Sequence, residues 1–178
     1  MATAVSERKL LVGGEWVETG EWIDVRSPYS GDVVGRVPRA GAAEARRAID
    51  AAEEAMADPL PAHRRAEILV RVAGYLGKRH DEVAQTISAE AGKPMKAARI
   101  EAARAMSTYT FAAVEARKLA GDVVPMDASQ AGVGKLAFTL RRPIGVVGAA
   151  SPDSMTTLMT LPVMPVTLRF LWRSRNGM

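Results

Sequence analysis

The spacing of apolar residues in the middle of the chain is the feature that most constrains the fold. Between residues 41 and 120, apolar side chains recur three and four positions apart, which is the period of one helix face. Pro59, Pro61 and Gly92 interrupt this run, because proline cannot continue a helix and glycine favours a left-handed cap. Pro94 can open the last helix, since a first turn tolerates its missing donor. The pattern therefore predicts four helices: two with apolar stripes over 45–56 and 68–76, a third over 81–91, and a long fourth with its apolar stripe over 95–119.

Short strand patterns lie on both sides of this helical segment. Residues 9–12 and 15–17 flank Gly13-Gly14, a two-residue turn suited to positive φ angles. Strands are also predicted at 23–26 and 33–37, separated by turn-forming residues, and in a hairpin bracketing Gly132 and Gly134. The continuous apolar run at 144–149 is typical of a strand buried in a parallel sheet. Together these patterns predict an α/β fold.

The changes of period divide the chain into five segments. The predicted segments are 1–39 (N-terminal strands), 40–121 (helical segment), 122–142 (hairpin), 143–152 (buried strand) and 153–178 (a tail without periodicity).

The buried strand has little sequence after it to cover it. A parallel strand needs a crossover connection, and the roughly thirty residues after 148 are close to the minimum for one βαβ unit. We therefore expect strand edges to remain uncovered and the chain to self-associate through them.

Composition excludes several classes of function. The chain has no cysteine, which removes disulfides, thiolate metal sites and any cysteine nucleophile. Its two histidines, His63 and His80, have no second histidine three or four residues away, so no metal site is predicted. The net charge of +4 comes from interleaved charges without a dense basic stripe, which argues against nucleic-acid binding. No apolar run reaches the length of a bilayer span or a targeting segment, so we expect a cytoplasmic protein without membrane contact.

Four short motifs, in order and at consistent spacing, carry a family resemblance. They read Gly-Gly-Glu-Trp-Val at 13–17, Ser-Pro-Tyr-Ser-Gly-Asp-Val at 27–33, Glu-Ala-Gly-Lys-Pro at 90–94 and Arg-Pro-Ile-Gly-Val-Val-Gly-Ala at 142–149. Over about residues 8–152 the chain resembles the N-terminal portion of the NAD(P)-dependent aldehyde dehydrogenases. Within that family it is most similar to members that act on small oxygenated aldehydes such as lactaldehyde.

The resemblance implies an oxidoreductase that converts a small aldehyde to a carboxylic acid with NAD or NADP. It assigns Ser151 and Pro152 to a loop that lies against the cofactor, although a simple strand-to-loop turn after Ala149 is the alternative interpretation. Ser154 stands where the family has the asparagine that binds the oxyanion, and the family's nucleophilic cysteine and general-base glutamate are missing. No catalytic residue is therefore assigned. We expect this chain alone to be inactive and not to bind the dinucleotide.

Other interpretations of the polar residues remain open. Ser151 or Ser154 could replace the cysteine only with an activating histidine, and neither has one nearby in the sequence. Lys93 could bind phosphate, but a solvated helix junction is favoured. A second function class is a non-catalytic assembly module, because in the family a segment resembling 122–142 pairs with strands of a neighbouring subunit.

Overall fold

A computed structural model describes residues 6–148, apart from the side chain of Ser6. Five strands precede a layer of four helices, and a short hairpin follows them. The strands are β1 (Ser6–Glu7), β2 (Leu10–Val12), β3 (Glu15–Val17), β4 (Trp22–Arg26) and β5 (Val33–Pro38). The helices are α1 (Ala42–Met56), α2 (Ala62–Lys78), α3 (His80–Ala91) and α4 (Met95–Lys118), and the last strands are β6 (Val123–Val124) and β7 (Ala137–Phe138).

The N-terminal strands form two small sheets. β2 and β3 pair as an antiparallel hairpin, and its two turn residues have φ angles of 61° at Gly13 and 92° at Gly14. Positive φ at both positions is what a tight hairpin turn requires, and glycine adopts it without steric cost. The predicted hairpin turn at Gly13-Gly14 is therefore confirmed. The second sheet has the order β1-β5-β4, with β1 parallel and β4 antiparallel to β5.

The core of the protein lies between α2 and α4, which run antiparallel. Gly77, near the end of α2, faces Met106 in the middle of α4, and a Cβ added at Gly77 would lie 3.2 Å from the Met106 sulfur. Small side chains allow this close approach: Ala66, Ala113 and Ala116 are all buried between the two helices. A second buried cluster joins α3 to the first half of α4. α4 therefore contributes to both clusters.

All four predicted helices are present, and most are longer than the apolar pattern indicated. α2 begins at Ala62 because Pro61, in extended conformation, stands at its N-cap position. α3 begins at His80 with only Arg79 between it and α2. The Arg79 N–H donates to the Tyr75 carbonyl at 3.1 Å, which closes the end of α2.

Across residues 6–148 the helices lack the apolar stretch that a bilayer crossing requires.

The hairpin after the helices is present but short. β6 pairs antiparallel with β7, with Val123 opposite Phe138, and the Asp122 N–H donates to the Thr139 hydroxyl at 2.8 Å. A Cβ on Gly121 would overlap the carbonyl oxygen of Thr139, so only glycine fits where these two segments of the chain meet. Two single 3₁₀ turns, Met126–Ala128 and Gln130–Gly132, fill the connection.

The prediction of a buried strand at 144–149 is wrong for the residues that the structure describes. Residues 144–148 have no regular secondary structure, Ile144 is 91% exposed and Gly145 has a φ of 107°. A strand needs a neighbour for its backbone hydrogen bonds, and no other part of residues 6–148 pairs with this run. Ala149, the proposed cofactor residues Ser151 and Pro152, Ser154 and the segment 153–178 lie outside the described residues.

Candidate functional site

Two of the four sequence motifs meet at the junction between α3 and α4. α3 ends at Gly92, which has the left-handed φ of 65°, and Pro94 then stands at the N-cap position of α4. A Cβ added to Gly92 would lie 3.1 Å from Cγ of Pro28 and 3.4 Å from Cβ of Tyr29. Gly92 is therefore required twice, for its backbone conformation and for the close approach of the turn that connects β4 to β5.

That turn is closed by its own backbone. The Ser27 N–H donates to the Asp32 carbonyl at 2.9 Å, and the Gly31 N–H donates back to the Ser27 carbonyl at 2.8 Å. A guanidinium nitrogen of Arg26, Nη1, donates to the Gly31 carbonyl at 3.2 Å. Ser27 is buried, and Gly31 has a φ of 78°. The turn thus presents a fixed surface on which the α3–α4 junction packs.

A half-buried ion pair spans the same junction. Nζ of Lys93 lies 2.6 Å from Oε2 of Glu101, in the second turn of α4, and the Glu101 side chain is only 17% exposed. The Ser88 hydroxyl donates to the Lys93 carbonyl at 2.7 Å, which ties the end of α3 to the same residue. The structure therefore differs from the solvated lysine that the sequence favoured, because the ammonium is held by a carboxylate.

Glu90 is the most perturbed acid among the described residues. Burial in the last turn of α3 raises the pKa of this carboxyl from its ordinary value to about 7. Loss of water disfavours the charged form, so the group can change its protonation state near neutral pH. Its position beside Gly92 and Lys93 gives the junction a titratable group that the sequence alone did not reveal.

The two histidines have different surroundings. Nε2 of His80 lies 3.0 Å from the Arg99 carbonyl oxygen, which links the start of α3 to α4. His63 is exposed on the first turn of α2. Within residues 6–148 no group of three or more histidine, aspartate or glutamate side chains could hold a metal ion.

The comparisons with known proteins agree with the motifs. Residues 16–164, more than half of the chain, match the aldehyde dehydrogenase family. The chain belongs to this family. It is 36% identical over 146 residues to the lactaldehyde dehydrogenase of Methanocaldococcus jannaschii, covering 80% of this chain and 30% of that protein. It is 37% identical over 156 residues to the succinate-semialdehyde dehydrogenase [NADP(+)] GabD of Escherichia coli, covering 85% of this chain and 32% of the relative.

The fold also matches solved aldehyde dehydrogenases. The NAD-dependent aldehyde dehydrogenase from Sinorhizobium meliloti superposes with a TM-score of 0.79 and 31% identity, covering 97% of this chain and 35% of that structure. The predicted α/β class and the predicted resemblance to the N-terminal portion of the family are both confirmed. The chain spans about a third of the length of the aldehyde dehydrogenases that it matches.

The packing of Gly92 on the turn yields a stability prediction. Gly92→Ala places a Cβ in the left-handed region, which costs about 1–2 kcal/mol, and presses it against Pro28. We expect urea unfolding, followed by circular dichroism, to show a loss of about 2 kcal/mol or more. Gly74→Ala is the matched control, because an added Cβ there meets nothing within 4 Å in the interior of α2. It should stabilise by up to about 1 kcal/mol. Equal unfolding free energies for the two variants would contradict this account of the junction.

The raised pKa of Glu90 yields a pH prediction. The folded protein holds this proton up to about pH 7, whereas the unfolded chain releases it near pH 4.5. The contribution of Glu90 to stability is therefore full below the unfolded pKa and is lost as the pH rises through the folded pKa. Glu90→Gln should leave stability unchanged at about pH 4 and raise it at about pH 8, by up to about 3 kcal/mol. Urea unfolding of both proteins across this range measures the difference, and a constant difference would show that Glu90 does not titrate in this way.

Proposed function

We propose that this chain supplies the N-terminal part of an enzyme that oxidises a small aldehyde to a carboxylic acid with NAD or NADP. The observation that carries the proposal is the family match over residues 16–164. Relatives more than 30% identical include a lactaldehyde dehydrogenase and an NADP-linked succinate-semialdehyde dehydrogenase, so the proposed substrate is a short, oxygenated aldehyde. A cytoplasmic location is part of the same proposal.

The second part of the proposal is that the 178-residue chain alone does not catalyse the oxidation of the aldehyde. The chemistry implied by the family starts with attack of a thiolate on the aldehyde, and the chain contains no cysteine. A serine would need a histidine base beside it to be deprotonated near neutral pH. His80 is already in contact with the Arg99 carbonyl, and His63 is exposed on α2. Neither is placed beside a serine that could act as nucleophile in the described part of the chain.

Ser151 and Pro152 are the proposed contacts to the cofactor. They follow directly on the motif at 142–149, which supports their assignment to the loop that lies against the dinucleotide in the family. A bound dinucleotide needs a strand, a glycine-rich turn and a helix N-terminus brought together. Since residues 144–148 have no strand partner within the described residues, we expect the isolated chain to bind neither NAD nor NADP.

A chimera tests both parts of the proposal. The isolated chain and a chimera, in which residues 1–148 replace the matching segment of the M. jannaschii lactaldehyde dehydrogenase, are each given lactaldehyde with NAD or NADP, and reduction of the nicotinamide is followed. The unmodified relative is the positive control. We expect turnover by the chimera and none by the chain. Turnover by the chain would refute the inactivity proposal, and a folded but inactive chimera would refute the proposed role as the N-terminal part.

A specific surface favours a second candidate, a module that associates with another copy of itself. Phe138 in β7 and the neighbouring Leu136 and Leu140 are large apolar residues, and Leu136, Phe138 and Leu140 are 80%, 62% and 70% exposed. Val123, opposite Phe138 in the ladder, is 74% exposed. Contiguous apolar surface of this kind beside a short strand pair favours association through the hairpin.

Sedimentation velocity over a concentration series tests this module. We expect the chain to associate as its concentration rises, and more strongly at high salt, because screening weakens the repulsion of a net charge of +4. Phe138→Ser should shift the distribution of sedimentation coefficients towards that of the monomer. Phe111→Ser is the control, since Phe111 is 72% exposed on α4 but lies outside the hairpin. A monomer at every concentration, or an equal shift by both variants, would exclude association through the hairpin.

A further inference from the structure

A basic groove lies between α2 and α4, away from the four motifs. It is a shallow groove open to solvent, has a volume of about 420 Å³ and is lined by Arg64, Glu67, Val70, Arg71 and Arg117. None of these residues falls in the segments 13–17, 27–33, 90–94 or 142–149 that carry the family resemblance. The groove is therefore a feature that the proposed oxidation does not use.

The antiparallel packing of the two helices builds this groove. Arg64, Glu67 and Arg71 are spaced three and four residues apart, so they lie on one face of α2. Arg117 lies in the last turn of α4, which the packing brings beside the first half of α2. The buried alanines Ala66 and Ala116 fix this approach from below. The arginines thus reach the groove from two helices whose relative position is set by the core.

The charges around the groove are not balanced. Glu67 is paired with Arg64, with 2.8 Å between Oε2 and Nη1. Arg117 donates one guanidinium N–H to the Ala113 carbonyl at 3.3 Å on its own helix, and within the described part of the chain no acidic side chain pairs with it. Arg71 has no hydrogen bond or ion pair to any residue in the range 6–148. Glu67, the carboxylate in the groove lining, is thus paired with Arg64, whereas the guanidinium groups of Arg71 and Arg117 form no ion pair with any of residues 6–148.

The start of α2 adds to this positive potential. Its first turn contains Arg64 and Arg65 and no acidic residue, and no side chain in the part of the chain that the structure describes caps it. Basic groups at a helix N-terminus are unfavourable, because the unpaired N–H groups already carry partial positive charge. The first turn of α2 therefore adds positive potential at the Arg64 end of the groove.

We propose that the α2–α4 groove binds a small dianion, with one oxyanion group at Arg71 and Arg117 and its apolar part on Val70. The planar guanidinium forks match carboxylate and phosphate oxygens in pairs. Val70 is 52% exposed and offers an apolar floor. A dicarboxylate and a phosphate share this chemistry, and the experiment distinguishes them.

Isothermal titration calorimetry on the full 178-residue chain tests the site. The probes are succinate and inorganic phosphate, each at ionic strength held constant with sodium chloride. The test variant is Arg71→Gln/Arg117→Gln. The control is Arg46→Gln/Arg104→Gln, which removes the same charge from exposed positions outside the groove. We expect saturable binding of at least one probe to the wild type. The dissociation constant should rise roughly tenfold for each arginine removed, so about a hundredfold in the double test variant, and should stay unchanged in the control.

A lysine variant keeps the test decisive if the glutamine variant folds poorly. Arg71→Lys/Arg117→Lys preserves charge but loses the planar fork, so it should bind more weakly than the wild type. Binding of succinate alone assigns a dicarboxylate, and binding of phosphate alone assigns a phosphate group. No binding of either probe, or equal weakening in the test and control variants, overturns the proposal. Activity is not a readout here, so the outcome is independent of the proposed aldehyde oxidation.

Discussion

The rest of the structure depends on the antiparallel contact between α2 and α4. Alanines at the contact, with Gly77 against Met106, let the two backbones approach closely. This contact fixes α4, which contributes residues to both buried clusters. Each buried methyl contributes little, but close packing of many such groups sums to the main stabilising term of a small protein. Because α4 is fixed in this way, its N-terminal half can receive α3.

The junction at Gly92 follows from that arrangement. With α3 packed on the first half of α4, the chain must reverse within a few residues, and the left-handed Gly92 followed by Pro94 provides the reversal. The same reversal brings Lys93 to Glu101. Because Gly92 has no side chain, the β4–β5 turn can approach the junction closely. The strand layer is thus attached to the helical layer at a point where two separate sequence motifs touch.

Much of the fold could be predicted from the sequence because its signals are local. The Gly13-Gly14 turn, the helix stop at Gly92 and the period of α4 each depend on a few neighbouring residues, and the structure confirms them. The single-residue link at Arg79 could not be predicted, since no proline or glycine marks it. Of the strand predicted at 144–149, the described residues 144–148 form no strand, because strand formation depends on a distant partner rather than on the apolar run itself.

The candidate site was harder to predict for a related reason. Ionisation of Glu90 near neutral pH is a property of its burial, and burial is decided by how α3 packs, not by the residues next to it. The Lys93–Glu101 pair is eight residues apart across a helix break, so neither helical spacing nor a motif indicates it. The assignment of Ser151 and Pro152 came from the resemblance alone. It therefore stays a proposal, whereas the junction stands on contacts in the structure.

The two exposed surfaces have opposite chemistry, and the position of the core explains how both can exist on one small protein. The hairpin face is apolar and built on a two-stranded ladder, while the α2–α4 groove is basic and built on the best-packed helix pair. Neither surface contributes a large side chain to the buried clusters. Their side chains can therefore change without loss of the fold, which is why substitutions at Phe138, Arg71 and Arg117 report on binding rather than on folding. Gly92 is the contrasting case, because there the fold and the candidate site depend on the same atoms.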